Sequence, residues 1–490
     1  MATKEVRLRY SGLVIFAARI LSVGTGLIFT LLITRNTTEE QFGIWSNIFD
    51  VLGYLVLLST AIPFWTTRFV ARDKEGSTKT GLVANLIIGV ISTVLYLPLV
   101  PFITSALGIL QGYVVLYFMV SAQIIEIYLI NQFEATLRAE RPQAVAYGLL
   151  VEEITKVSLA YVLIVRLQQP LVGAMVSLTI GILIQIIYYL KLISPNFKQK
   201  TQWNYVREWL KGSTAYIYYL VGNQLYGVVL IMLFLFGGQA ARGDYGAADT
   251  IAALITYSWY LSFALYPRLL ANENREDVTT SLKLVLMFAI PLAAGVMAIP
   301  GSLLIILKAS YAEATPTLFI LAIDALVLTI FQFYQYVLFG VEKLDEKATI
   351  PIKQLVKSDV FKAFTIPYIQ TAIMVPLTYY VLTKFALEQT VQATVYVATI
   401  TMTVHLAMFV ILYMLVRRDI KVAVPWTSIG KYVFAGAIVG SILYLIPHPT
   451  KIALTLADGV VGGILYLAVL STIDKDARTL IKLVLQEIRG

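Results

Sequence analysis

Cysteine is absent from the 490-residue chain, which excludes a disulfide framework, thiolate metal ligation and a cysteine nucleophile. Histidine is nearly absent, with only His405 and His448 present, too few for a histidine-rich metal cluster. Charge is also scarce. Asp, Glu, Lys and Arg together make up 14% of the residues, about half of the quarter typical of soluble domains. A chain so poor in charge cannot coat a large water-facing surface. No phosphate-binding G-x-x-x-x-G-K-[ST] loop occurs, and the run Gly76-Ser77-Thr78-Lys79-Thr80-Gly81 carries similar residues in the wrong order. Without a nucleotide site, uphill movement of a substrate would draw on H+ or Na+, the membrane potential, or downstream removal of the product. Long outer loops are missing as well, which disfavours a glycosyl or phosphoryl transferase working outside the membrane.

What the sequence has in abundance is apolar residues, 58% of the total. They recur in runs near the roughly 20 residues that cross a bilayer core of about 30 Å. Fourteen spans are expected, at about 11–34, 42–67, 81–106, 112–132, 145–165, 170–193, 213–237, 247–269, 281–307, 314–340, 364–386, 391–416, 430–447 and 452–473. The first run is too long for a signal-peptide core. The basic residues test this map independently, because cytoplasmic loops are enriched in Lys and Arg. With the N-terminus inside, only Arg35, Arg166, Arg242, Lys308, Lys384 and Lys451 fall outside, and Arg19 and Lys156 lie within spans. All other Lys and Arg fall on the inner side. The expected class is an all-α multi-pass membrane protein with both termini cytoplasmic. Its net charge of +9 is therefore read as topology and not as a nucleic-acid signal. Asn36-Thr37-Thr38 is a glycosylation sequon on the outer side, close to the membrane.

Two stretches repeat. Gln41-Phe42-Gly43 opens the second span and Pro63 and Arg68 close it, while Asp244-Tyr245-Gly246 opens the eighth and Pro267-Arg268 close it. A repeat six spans apart suits two parallel six-helix lobes. The expected division is a lobe at 1–194, a cytoplasmic amphipathic linker at 195–211, a second lobe at 212–416, and two added spans with a tail at 417–490.

Ionisable groups within hydrocarbon are costly and usually face a protein interior or a wet cavity. Arg19 and Asp50 lie at similar depth, each about 12 Å from the end of its span. They are read as a cavity cation for an anionic substrate held by its carboxylate, or as a structural ion pair between neighbouring helices. Glu152 and Lys156 are spaced as a local helical pair, which leaves Glu153 without an obvious partner. Glu126 and Asp324 are candidate ion-coupling groups, and Gln332 and Gln335 continue the polar stripe below Asp324. Gly43, Asn47, Asp50 and Tyr54 share one helical face, as do Tyr216, Tyr219, Asn223 and Tyr226. Tyrosine offers an apolar body with a hydroxyl tip, suited to a groove that passes sugar rings. Interfacial tyrosine belts are the alternative use. Asp458 is assigned no role.

The run Ser11-Gly12-Leu13 through Arg19, then Thr25-Gly26-Leu27 to Thr34, and Glu39-Glu40-Gln41-Phe42-Gly43 resembles the polysaccharide transporter family, the O-antigen-type flippases of the multidrug/oligosaccharidyl-lipid/polysaccharide superfamily. Asp244-Tyr245-Gly246-Ala247-Ala248 and Tyr266-Pro267-Arg268 are similar to that family's second lobe. The resemblance implies two six-helix lobes in a V around a central cavity, with two further helices, moving isoprenoid-linked oligosaccharide across the membrane by alternating access. It implies that spans one, two, seven and eight line the cavity, with substrate-binding Arg19, Asn47, Asp50, Tyr219, Asn223 and Tyr226. Arg19 matches by placement the arginines that hold the lipid (pyro)phosphate. The chain departs from the family in having few cations within its spans, and Arg68, Arg268 and Lys283 at the inner mouth are candidates for phosphate capture.

The leading expectation is a flippase, not an enzyme, in the cell membrane. Its partners would be a polyprenyl-linked oligosaccharide and membrane lipids, with no nucleic acid, no metal and no bound cofactor. It would act as a monomer, in association with glycan-assembly enzymes. The competing reading is a cation-coupled multidrug exporter of the same superfamily, using Asp50, Glu126 or Asp324.

Overall fold

The computed structural model describes residues 21–262, 275–341, 358–386, 389–419, 424–446, 451–479 and 482. Among these residues every regular element is helical. Ten helices are long and apolar enough to cross a membrane, or eleven if one sharply bent pair is a single span. The chain is a multi-pass membrane protein. The count falls short of fourteen for physical reasons. The expected first span is described only as the shorter helix α1 (Leu21–Arg35). The fifth and eighth coincide with α7 (Pro142–Ala160) and α12 (Gln239–Thr256). Glu152, Glu153 and Lys156 in α7, and Arg242, Asp244 and Asp249 in α12, keep these two from standing out by apolarity alone.

Two compact units divide the chain, Met1–Arg242 and Gly243–Gly490. In the first, α1 is followed by α2 (Glu39–Leu55), α3 (Ala61–Ala71), α4 (Ser77–Tyr96), α5 (Val100–Ala106) and α6 (Gln111–Glu140). Then come α7, α8 (Pro170–Ile193), α9 (Trp203–Gly212), α10 (Thr214–Gln224) and α11 (Gly227–Met232). The sequence Thr38-Glu39-Glu40-Gln41 starts α2 with a capping box, in which Thr38 and Gln41 each bond the other's backbone N–H with a side-chain oxygen.

The expected second span is α2 and α3 joined by a 3₁₀ turn, Leu57–Thr60, with a bend of 56°. Pro63 has no N–H to give the carbonyl of Ser59 four residues earlier. In hydrocarbon that carbonyl needs another donor, and buried Asn85 of α4 supplies it, Nδ2 to O at 3.1 Å. α6 packs against α3, α4 and α8, and α7 against α8. Phe133, Leu137, Val145, Ile186, Tyr189 and Ile193 form a core where α6, α7 and α8 meet. α9 is amphipathic: Trp209 is fully buried while Trp203 is exposed, and Phe69 of α3 meets Trp209 edge to face at 5.3 Å.

The second unit contains most of α12, then α13 (Arg275–Ala298), α14 (Pro300–Leu307), α15 (Thr315–Val341) and α16 (Asp359–Phe385). It ends with α17 (Thr390–Asp419), α18 (Trp426–Leu445) and α19 (Ile452–Ile473). α15 packs along α17, α16 on α17, and α13 on both α15 and α18. The last two helices are docked, not appended loosely. Gly436 and Gly440 of α18 form a G-x-x-x-G face against α13, where a Cβ on Gly436 would touch Ala294 Cβ at 3.6 Å. Pro291 repeats the device seen at Pro63: the Met287 carbonyl, four residues earlier, accepts from the buried Tyr466 hydroxyl of α19 at 2.9 Å.

Candidate functional site

The polar face of α2 is real and largely internal. Asn47, fully buried, accepts from the Tyr117 hydroxyl of α6 at 2.7 Å. One turn further, Asp50 receives a guanidinium fork from Arg242, Nε to Oδ2 at 2.7 Å and Nη2 to Oδ1 at 2.8 Å. The two side chains are only 7% and 8% exposed. Both oxygens of the Asp50 carboxylate, read from the sequence as a partner for Arg19, are engaged by Arg242, which was assigned to an outer loop. The misplacement has a simple origin: α12 already begins at Gln239, so Arg242 sits in the first turn of a helix and reaches inward. Arg19 itself lies outside the described residues.

Below Asp50, α2 approaches the broken helix α10–α11 closely. A Cβ on Gly53 would lie 2.5 Å from Gln224 Nε2, and one on Gly227 would lie 3.1 Å from the Tyr54 hydroxyl. Tyr216, Tyr219 and Asn223 of the expected stripe lie on α10, and the turn between the two helices falls at Leu225 and Tyr226. Tyr226 stands at the residue before α11. Asn223 is exposed and bonds back to the Tyr219 carbonyl at 3.0 Å. Tyr216 stacks on Phe64 at 4.9 Å and its hydroxyl meets Thr60 Oγ1 at 3.3 Å. Arg68 lies over the same Phe64 ring at 3.7 Å and donates to the Phe64 carbonyl. Tyr216 of α10 and Arg68 of α3 thus meet on the Phe64 ring, whereas Asn223 is exposed.

A second buried network joins α1 to α7. Lys156 Nζ bridges Glu152 Oε1 at 3.0 Å and Glu153 Oε2 at 2.9 Å. Glu153, expected to lack a partner, also accepts from Ser22 Oγ at 2.8 Å and Thr25 Oγ1 at 2.6 Å. The sequence signal for these donors was the hydroxyl pair one helical turn apart in span one. Glu126 is buried in α6, and its Oε2 has no hydrogen-bond partner among the described residues.

In the second unit Asp324 is not isolated. Its Oδ1 lies 2.7 Å from His405 Nδ1, and Gln370 Nε2 lies 2.9 Å from His405 Nε2. Sequence reading weighed His405 only as a metal ligand. Its place in the middle of span twelve, level with an in-span aspartate, was the signal for this partnership. Lys283 pairs with Asp476 at 2.8 Å, and Arg268 lies outside the described residues. No group of three His, Asp or Glu side chains is placed to hold a metal ion among the described residues.

Chemically, the first unit offers a guanidinium fork, a buried amide and tyrosine hydroxyls, and both units bury carboxylates beside nitrogen bases. A fork that grips a carboxylate with two parallel N–H donors presents the same geometry to a phosphate.

No curated protein sequence matches the chain. Among solved structures, it shares the fold of a lipid II flippase, MurJ, in an inward closed conformation, with a TM-score of 0.67 and 14% identity over 96% of this chain and 100% of that one. An inward-facing multidrug resistance MATE family transporter of the MOP superfamily matches with a TM-score of 0.63 and 12% identity, over 83% of this chain and 98% of that one. The MATE multidrug transporter DinF-BH, solved as a ligand complex, matches with a TM-score of 0.63 and 15% identity, over 84% and 95%. Residues 8–273, which carry the α2–α3 face and both halves of the Asp50–Arg242 pair, match the family described as polysaccharide biosynthesis protein, and the chain belongs to that family.

Proposed function

We propose that the protein is a flippase that carries an isoprenoid-(pyro)phosphate-linked oligosaccharide from the cytoplasmic to the outer leaflet of the cell membrane by alternating access. Both termini are cytoplasmic, in keeping with the distribution of Lys and Arg. The observation that carries this reading is the family match over residues 8–273, supported by the fold shared with a lipid II flippase. In this reading Asn47, Asp50, Tyr219, Asn223 and Tyr226 meet the sugar-bearing head group, and Arg19 holds the (pyro)phosphate. Arg68, Arg268 and Lys283 draw the anion to the inner mouth. Arg242 joins this set, with Asp50 keeping the guanidinium oriented until phosphate oxygens compete for it. Glu126 and Asp324 serve ion coupling, the protein works as a monomer, and glycan-assembly enzymes are its neighbours.

Cells lacking the protein are expected to accumulate lipid-linked oligosaccharide on the cytoplasmic side and to lose surface glycan. The wild-type chain restores export and Arg19→Ala does not, although it reaches the membrane. Full surface glycan in cells without the protein overturns the reading. A second reading, a cation-coupled multidrug exporter, is favoured by the fold shared with the multidrug transporter DinF-BH. Efflux of a cationic dye that is lost in Asp324→Asn, with glycan export unaffected, selects it.

A further inference from the structure

The seam between α15 and α17 is marked by three polar or aromatic pairs. Thr317 and Thr394 share a hydroxyl hydrogen bond of 2.7 Å, Asp324 meets His405 at 2.7 Å, and the Tyr334 and Tyr413 rings lie 5.4 Å apart. The middle pair differs from the others because an imidazole and a carboxylate can each bind or release a proton. Both side chains are buried, 9% and 6% exposed.

Each ring nitrogen of His405 has a partner, and the Gln370 amide orientation selects the protonation state that fits them. Nδ1 faces a carboxylate oxygen, an acceptor, and so carries the proton. Nε2 faces the Gln370 Nε2 amide group, a donor, at 2.9 Å, and so must accept. This arrangement is the neutral imidazole. A proton added at Nε2 turns that acceptor into a donor aimed at another donor. A half-turn of the Gln370 carboxamide, which brings Oε1 to the ring, restores the hydrogen bond. The amide orientation is thereby tied to the charge on the histidine.

Gln370 stands where such a change can be transmitted. It lies between Pro367 and Pro376 in α16. Neither proline has an N–H, so the carbonyls of Ala363 and Ala372 lose their rungs and the helix is weakened on either side of Gln370. Asp324 faces His405 from α15, and Gln370 faces it from α16. The remaining titratable side chains on these elements sit elsewhere along the bundle. Tyr334 is ten residues below Asp324, about 15 Å by helical rise. Asp359 and Lys362 pair with each other in the first turn of α16. Tyr379, Tyr380 and Lys384 belong to its last third, and Tyr368 lies on a different side of α16 from Gln370 by helical spacing. The turn Ala309–Ala314, which holds Tyr311 and the exposed Glu313, touches α17.

We infer that His405 is an intramembrane proton-binding site whose occupancy is read by the Gln370 carboxamide and passed to the proline-interrupted helix α16. A proton from the aqueous phase binds Nε2, giving an imidazolium beside the Asp324 carboxylate, and the same proton later returns to water. This deepens the transport reading by naming the coupling ion and its carrier, but its test needs no substrate.

The full-length protein with His448→Gln, reconstituted in lipid and labelled with 15N-histidine, carries a single imidazole. With pH scanned over the interval from about 5 to 8, solid-state NMR is expected to show the neutral Nδ1–H tautomer at the high end and the doubly protonated ring at the low end. Hydrogen exchange in residues 359–385 is expected to change over the same interval, and to lose that dependence in Gln370→Leu and in His405→Gln. A ring locked in one state across the interval overturns the proton site. Unchanged pH dependence of exchange in Gln370→Leu overturns the readout. A failed glycan-flipping assay touches neither result and bears only on the substrate.

Discussion

The Asp50–Arg242 pair gives the sharpest energetic test. Replacing Asp50 by Ala leaves a guanidinium with two unmatched donors at a site where the side chain is 8% exposed. Solvent cannot make good the loss there. Breaking one side of a buried ion pair costs about 3–5 kcal/mol, whereas replacing both partners by apolar residues is often neutral. At roughly 2–4 °C per kcal/mol for a unit of this size, the single variant should melt roughly 6–20 °C below wild type. Arg242→Ala should behave similarly, because it strands the carboxylate. The double variant Asp50→Leu/Arg242→Met should recover most of the loss. The assay is the apparent Tm of the full chain in detergent, followed by fluorescence-detected size exclusion after heating, for wild type, both singles and the double. Single variants within about 2 °C of wild type, or a double whose loss equals the sum of the singles, would refute the coupled buried pair.

Other expectations concern the helix breaks and the end of the last helix. Asn85→Leu should destabilise the first unit by about 1–2 kcal/mol, because the Ser59 carbonyl freed by Pro63 loses its donor; combining it with Pro63→Ala should restore part of the loss, again read as apparent Tm. Tyr466→Phe should cost about 1 kcal/mol through the Met287 carbonyl, with faster exchange of amides near Pro291. At the end of α19, burial raises the Asp474 carboxyl, but hydrogen bonds from the Ala477 N–H and Lys431 outweigh this and hold it below its ordinary value. A lowered folded-state value means stabilisation that is present above the ordinary carboxylate range, near about pH 4, and is lost as pH falls through it. Asp474→Asn should therefore lower the Tm at pH 7, and the gap from wild type should close on acidification.

Much of this architecture can be read from the chain because a bilayer leaves few options: long apolar runs become helices, and their flanking Lys and Arg orient them. The runs at 81–106, 213–237 and 452–473 reappear as apolar helices with nearly the same ends. Reading was weakest where a straight helix was assumed. The 3₁₀ turn before Pro63 makes the second span a bent pair, so faces drawn there by ideal spacing drift from the real ones. Arg242 was read in an outer loop, whereas α12 already begins at Gln239 and its guanidinium meets Asp50 of α2. Partners set by tertiary packing were hidden altogether. Spacing finds Glu152–Lys156 within one helix, but only the packing of α1 on α7 brings Ser22 and Thr25 to Glu153, and only the α15–α17 seam brings His405 to Asp324.

The central claim is transbilayer movement of a lipid-linked anionic glycan, and reconstitution tests it most directly. The purified chain in liposomes holding a fluorescent isoprenoid pyrophosphate oligosaccharide should render the inner-leaflet pool accessible to an external glycosidase within minutes, while protein-free liposomes protect about half of it. Protection of that half in the presence of folded wild-type protein, under both an imposed pH gradient and a membrane potential, would contradict the account.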